Sequence, residues 1–224
     1  IIEECINSGI KEIIFIISNK KKMIKKYFYN DKFYKKIIKK KNDFRLKQEY
    51  LKIKKYKKMI KFVYQNSPKG TGDAVLKCKK LIKSKHFLML MPDDLIISNN
   101  CSKSLINLHR KFKSSVIASK KVNRSEVSRW GIFKVKKINK TIFKIKDVIE
   151  KPSIKLAPSN YAVIGRYILP KKIFNILDKQ KPGKNGEIHI TDSIRTLILS
   201  GNSFIGHIFA GKYLDCGSMK GYIN

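Results

Sequence analysis

The sequence predicts an α/β fold, with one mixed, mainly parallel central sheet flanked by helices on both faces. Three observations lead there. Short apolar runs, such as the β-branched and aromatic residues 13–17 and the run at 86–91, read as buried strands. Stretches with apolar residues at helical spacing alternate with these runs, the rhythm of helices crossing over a sheet. The chain has 224 residues, 42% of them hydrophobic, enough for a sizeable core.

Taken in order, residues 1–8 carry apolar positions at helical spacing, and Gly9 is the expected stop. A buried strand follows at 13–17 and a helix at 20–28. Residues 31–58 are Lys-rich with Tyr and Ile interspersed, a helical excursion facing solvent. A strand at 60–64 leads through the loop 68–72 to a helix at 73–82, and residues 86–91 form the next buried strand, ending at Pro92-Asp93-Asp94. Asn100 or Ser102 is placed to cap a helix over 103–112. After a strand at 115–119, residues 131–149 alternate in the manner of antiparallel strands. A strand at 161–169 runs to Pro170, which suits the opening of a helix at 171–177. A helix at 190–199 and strands at 204–209 and 212–215 close the series. The whole of 1–224 reads as one domain, and the expectation is of a piece of a longer chain, cut at both ends.

The formal charge is +35. Clustered lysines would suit a nucleic acid, because they neutralise phosphates and release counterions. The lysines, however, are spread along the chain with few arginines and no repeated basic-aromatic module, which favours compositional drift; net charge bears on solubility and non-specific binding, not on fold. Cys5, Cys78, Cys101 and Cys216 form no C-x-x-C pair, so neither a disulfide framework nor a zinc site is expected and a reducing cytoplasm is. His86, His109, His189 and His207 are isolated. No apolar run reaches the roughly 18 residues of a membrane span.

Ligands of open α/β sheets bind at the carboxyl ends of strands. Two such ends carry acid: Asp93-Asp94 after the strand at 86–91, and Asp215 after residues 212–214. Carboxylates from two strands suit a hard divalent cation, although an Asp after a strand also serves as a plain turn or cap. The loop from Gln65 to Gly72 follows a strand and precedes a helix. Its glycines let backbone approach a planar or anionic ligand, and the Gln65 amide can read a base edge; a simple βα turn is the alternative. It is not a phosphate loop of the Gly-Lys-Ser/Thr kind. Glu150-Lys151-Pro152 ends another strand, where the Glu can accept from sugar hydroxyls and the Lys can hold a phosphate, or the two can be a surface ion pair.

These pieces, in this order, resemble one family. FVYQNSPKGTGDAV (62–75) resembles the base-binding loop of the sugar-1-phosphate nucleotidyltransferases, and MPDD (91–94) their metal-binding Asp motif. EVSRWGIFKV (126–135) is similar to the segment whose Gly contacts the sugar, and VIEKPS (148–153) to the sugar-phosphate motif. APSNYAVIGRYIL (157–169) and GEIHITDSIRTL (186–197) resemble the UTP–glucose-1-phosphate uridylyltransferase branch. GKYLDCGSMKGYI (211–223) resembles the closing motif with a second metal carboxylate. The likeness spans the chain and implies a Rossmann-like nucleotidyltransferase domain.

The resemblance implies that Gln65 and Gly70 contact the uracil, and that Asp93 and Asp215 hold Mg²⁺. It implies that Gly131, Glu150 and Gly165 contact the glucose and that Lys151 holds its phosphate. The implied reaction makes UDP-glucose and pyrophosphate from UTP and glucose 1-phosphate, in a cytoplasmic enzyme that is a homo-oligomer at full length, with no specific nucleic acid and no membrane partner. Another sugar 1-phosphate with UTP or dTTP, a basic nucleic-acid-binding protein and an inactive remnant are the alternatives. The sequence departs from the family pattern at Lys69, where Leu is usual, at Asp73, where this branch often has His, and at Cys216 and Ser218 beside the second metal carboxylate. The family's N-terminal Gly-rich loop for the triphosphate is expected ahead of Ile1.

Overall fold

A computed structural model of the chain describes residues 1–183, 186–217 and 219. The chain forms two compact units, one of Ile2 and residues 10–68, the other of Ile1, residues 3–9 and the described residues from Lys69 onward.

In the smaller unit, β1 (Ile13–Ile17) pairs in parallel with β2 (Ile60–Tyr64), joined by α2 (Lys22–Tyr29), α3 (Asp31–Lys41) and α4 (Phe44–Lys57). Both strands are β-branched and aromatic, which suits a pleated surface covered by a crossover. Phe28, Ile53 and Ile60 form the buried centre, with Phe15 and Phe62 packed on it. Asp43 caps α4 by accepting from Arg45 N at 2.7 Å, and Asn30 caps α3 by accepting from Phe33 N at 3.2 Å. The Lys-rich excursion is helical, as expected.

The larger unit is built on six strands. They are β3 (His86–Leu90), β5 (Ser115–Lys121), β6 (Gly131–Lys137), β7 (Ile142–Glu150), β8 (Tyr161–Pro170) and β9 (Phe204–Ile208), in the spatial order β3-β8-β5-β9-β7-β6. The α/β class and the mixed sheet stand as predicted, but the emphasis on parallel pairing needs correction. β3, β5, β9 and β6 share one direction while β8 and β7 oppose it, so β5–β9 is the parallel pair of this sheet and its other neighbours are antiparallel. The two reversed strands are inserted between the others, an arrangement that periodicity along the chain does not reveal.

Alternation along the strands separates two cores. On one face, Ile117, Tyr167 and Leu169 pack with α7 (Ile173–Leu177) and α8 (Ile190–Leu199) through Ile173, Phe174, Leu177, Ile190, Ile194 and Leu197. On the other, Val116, Ala118, Ile164 and Ile168 meet Cys101 and Leu105 of α6 (Cys101–Phe112). Each fully buried Leu, Ile or Phe side chain contributes about 1.5–3 kcal/mol relative to exposure. Helices therefore flank both faces.

Three local expectations change. The helix α5 (Thr71–Leu76) is shorter than 73–82, because i→i−3 bonds from Cys78 N and Lys79 N tighten the chain into turns. Pro170 ends β8 and the helix starts at Ile173. A strand missing from the expectation, β4 (Asp94–Ile97), pairs antiparallel with β10 (Lys212–Asp215) and sets Asp94 opposite Asp215. A short 3-10 turn over Arg124–Arg129 precedes β6, and α1 (Ile2–Asn7) opens the chain.

Candidate active site

Asp93 lies in the turn between β3 and β4, and Asp215 ends β10. Cys216 N donates to Asp93 O at 2.7 Å, so the two segments are joined by backbone as well as by the β4–β10 ladder. Gly217 leaves the space between the two carboxylates without a side chain. A Cβ there would stand 3.1 Å from Asp215 Oδ1 and 3.3 Å from Asp93 Oδ2. Asp215 Oδ1 also accepts from Gly217 N at 3.1 Å, but the two carboxylates still face each other across Gly217, a set that suits a small divalent cation taking its remaining ligands from water and phosphate. Among the described residues no group of three or more His, Cys, Asp or Glu is placed to hold an ion, so an ion here would have two protein carboxylates.

Asp94, adjacent in sequence, does a different job. Its Oδ2 accepts from Gly165 N at 2.5 Å and its Oδ1 accepts from the Tyr213 hydroxyl. Burial pushes its carboxyl above the ordinary value of 3.8, against the pull of those two donors. Burial, together with the same bond, pushes the Tyr213 phenol upward. Asp94 therefore ties β8 to β10 and is spent in doing so. Gly165 must be glycine at this crossing, because a Cβ would run into the Asp94 carboxylate and the Met91 side chain.

Residues 129–131 connect this acidic pair to the Glu-Lys-Pro turn. Arg129 Nη2 donates to Asp215 Oδ2 at 3.1 Å, and Nη1 donates to Glu126 Oε1 at 3.2 Å. Trp130 O accepts from Lys151 N at 3.0 Å, while the Trp130 ring stands edge-on to Tyr213 at 5.7 Å. Gly131 pairs with Glu150 across β6 and β7, and a Cβ on it would lie 3.1 Å from Glu150 Oε2 and 3.5 Å from Thr191 Cγ2. Lys151 is exposed and left-handed at φ 43°, an unusual backbone for a non-glycine residue. The turn beyond it is clamped by Arg124, whose guanidinium donates to Ile154 O, Ala157 O and Ser159 O at 2.8–3.1 Å.

The loop residue Gly70 (φ 101°) lies against Ile188, where a Cβ would approach the Ile188 carbonyl oxygen to 2.6 Å. Ile188 N donates to Lys69 O, and Gly72 N donates to Ile188 O, both at 2.7 Å. Thr71 Oγ1 accepts from Ile190 N at 3.1 Å. The segment 188–191 therefore reaches from this loop to Gly131. Asp73, in the first turn of α5, pairs with Lys77 at 3.2 Å.

Six of the sequence-derived candidates, Asp93, Gly131, Glu150, Lys151, Gly165 and Asp215, are thus linked through residues 91–94, 129–131 and 213–217, and Gly70 joins them through 188–191. Gln65 belongs to the smaller unit, where its N–H donates to Ile17 O at 3.0 Å. Ser218 and residues 220–223 of the closing motif lie outside the described residues. Sequence reasoning missed Arg129, Asp94 as a strut, Tyr213 and Gly217. Arg129 stands in the quoted EVSRWG and Gly217 in DCG, so the signal was present, but nothing in the spacing shows that a 3-10 turn delivers Arg129 to Asp215.

The chain matches the family model for nucleotidyl transferases over residues 1–224. A UTP–glucose-1-phosphate uridylyltransferase of Pseudomonas aeruginosa is 33% identical over 228 residues, covering 99% of this chain and 80% of the relative. One from Staphylococcus saprophyticus is 32% identical over 227 residues, covering 100% and 77%. Among solved structures, UDP-glucose pyrophosphorylase in complex with UDP-glucose superposes with a TM-score of 0.85 at 35% identity, covering 99% of this chain and 81% of that one. A UTP-bound enzyme of Acinetobacter baumannii gives 0.86 at 28% identity, covering 99% and 78%.

Proposed function

Since the chain belongs to the nucleotidyl transferase family, we propose that it transfers a uridylyl group from UTP to glucose 1-phosphate, giving UDP-glucose and pyrophosphate. The observation that carries the reading is the junction at residues 129–131, which ties the carboxylate pair to the Glu150-Lys151 turn and so can set a metal-bound nucleotide beside a sugar phosphate. The enzyme and structure relatives described as acting on or binding UTP and UDP-glucose support the choice of substrates.

In this proposal the sugar phosphate oxygen attacks the α-phosphorus of UTP in line, a P–O bond forms there, and the bond to the β-phosphate oxygen breaks as pyrophosphate leaves. The nucleophile is already an anion, so no general base is required, and the work is positioning and charge neutralisation. Asp93 and Asp215 would hold Mg²⁺, and the open space at Gly217 fits that role. The bound ion supplies neutralisation of the phosphate oxygens. Lys151, turned outward by its left-handed backbone, holds the sugar phosphate as a point charge. Glu150 accepts from sugar hydroxyls, and Gly131 and Gly165 contact the sugar through their backbone. Gln65 and Gly70 take the uracil. The one-domain boundary of 1–224, the homo-oligomer and the cytoplasmic location belong to the same proposal. No helix among the described residues is long and apolar enough to cross a membrane.

The test is turnover of UTP and glucose 1-phosphate with Mg²⁺, read as UDP-glucose and pyrophosphate by chromatography. Turnover is expected for the full-length protein, and Asp93→Asn in it should lower turnover by at least about 100-fold with an unchanged melting curve. Full activity in that variant removes Asp93 from the site, and no product from any sugar phosphate with any nucleoside triphosphate sinks the reading.

A further inference from the structure

Beneath the Asp93–Asp94 turn lies a largely buried ion pair, Glu4–Arg166, separate from the residues assigned to substrate above. Arg166, on β8 next to Gly165, is wholly inaccessible. Its Nε donates to Glu4 Oε1 and Oε2 at 3.1 and 3.3 Å, and its Nη2 donates to Glu4 Oε2 at 3.1 Å. Its Nη1 donates to two carbonyls, Met91 O and Gly165 O, both at 3.2 Å. Glu4 is held in turn, since its Oε1 accepts from Ser102 N at 3.2 Å and from Ser102 Oγ at 2.6 Å at the N-terminus of α6.

A lone buried guanidinium is costly, and a buried pair is weak evidence for stability, because an apolar pair of similar volume often does as well. What an apolar pair cannot do is donate to Met91 O. That carbonyl is the last one before Pro92-Asp93-Asp94, and Met91 N is already fixed by a bond to Gly165 O at 2.8 Å. The planar fork of Arg166 thus spans from the Glu4 carboxylate to both carbonyls at the base of the turn. A lysine, with one compact ammonium, could keep the Glu4 contact but not the whole fork.

We propose that Arg166, braced by Glu4 and Ser102, is a positioning group that sets the height of the Pro92–Asp94 turn and so keeps Asp93 aligned with Asp215 for the metal. The inference rests on the metal reading of Asp93 and Asp215 above. Groups that orient a ligating carboxylate from behind typically change metal affinity or activity by about 10–100-fold when altered. Loss of this brace therefore moves metal affinity, an effect that a purely structural pair would not have.

The experiment titrates Mn²⁺ into the full chain without substrates and follows free Mn²⁺ by electron paramagnetic resonance, with thermal melts alongside. The proteins are wild type, Arg166→Lys, Ser102→Ala and Asp93→Asn. The Mn²⁺ dissociation constant is expected to rise about tenfold in Arg166→Lys and about two- to threefold in the milder Ser102→Ala, which keeps the brace testable if the first variant does not fold. Asp93→Asn should abolish the site. If Asp93→Asn loses Mn²⁺ while Ser102→Ala and any folded Arg166→Lys bind it as tightly as wild type, the positioning role is overturned and the metal reading stands. If Asp93→Asn binds Mn²⁺ like wild type, the metal reading falls and the positioning role with it.

Discussion

The helical run at 20–58 and the sheet unit use charge in opposite ways. The run holds 17 lysines and one arginine against three acids. Its ion pairs, Lys52–Glu49 at 2.8 Å and Lys57–Asp31 at 3.1 Å, join side chains well open to solvent. Such pairs contribute little, about 0–1 kcal/mol each, because water and salt screen them. In the sheet unit the charges that shape the site are few and several are held by specific partners. Arg166 is wholly buried, Asp94 is bound from both sides, and Asp215 is shared with Arg129. Number of charges and consequence of charges therefore separate. The +35 of the chain describes its surface, while its chemistry is set by a handful of groups whose partners leave them little freedom.

The sharpest way to break that contrast is at Gly165. A methyl group there meets the Asp94 carboxylate and the Met91 side chain, and neither can withdraw without disturbing the turn that carries Asp93. Gly165→Ala is expected to cost about 3 kcal/mol, through overpacking and a broken Asp94 bond, and to lower the melting temperature by roughly 10 °C. Turnover should fall by about 100-fold, since a displacement on the order of 1 Å at a reacting centre costs that much. If the variant melts like wild type and shows only a raised KM for the sugar phosphate, Gly165 is a contact residue and not a packing one.

How much of this could be read from residues alone follows the same division. Strands such as Ile13–Ile17 and Ile60–Tyr64 were legible because they are short runs rich in β-branched and aromatic residues, and these are local signals. Asp93 and Asp215 were legible because acid at strand ends is also local, and the family likeness placed them in order. Asp94 was not separable from Asp93, because only the distant partners Gly165 and Tyr213 distinguish a strut from an open carboxylate. The strand Asp94–Ile97 went unseen for a related reason. It is four residues long and exists as a strand through its partner at 212–215, more than a hundred residues on. Glu4 and Arg166, 162 positions apart, carry no pairing signal in one sequence.

A smaller effect tests the enclosed pair through acid. Burial raises the Glu4 carboxyl, but the bonds from Arg166 and Ser102 outweigh it and leave the group below its ordinary value of 4.5. A carboxyl depressed in the folded state stabilises above the unfolded value and loses that contribution as pH falls through the folded one. The stability gap between wild type and Glu4→Gln should therefore be widest above 4.5 and should narrow below it, measured by denaturant midpoints across that range. Asp94 has the opposite sign, because its raised value makes protonation favour the folded state, and it is common to both proteins and cancels in the difference. A gap that stays constant into acid would mean that Glu4 is not ionised in its pair.

The least effect is expected where charge is densest. Lys39, Lys40 and Lys41 form the exposed last turn of α3. At that helix end they gain from the macrodipole, and they repel one another and the lysines around them. The two contributions oppose, so replacing all three with Gln should change stability by no more than about 0.5 kcal/mol, the usual range for open surface sites. Loss of three charges weakens long-range attraction of an anionic nucleotide, and at about 0.15 M salt, where the screening length is about 8 Å, kcat/KM should stay within about twofold of wild type. At about 0.01 M salt the screening length grows to about 30 Å, and the triple variant should fall behind wild type through KM, with kcat unchanged. A drop of more than about tenfold at the higher salt would show that these lysines touch the substrate, and the division between a solvated surface charge and a charge placed in the site would no longer hold.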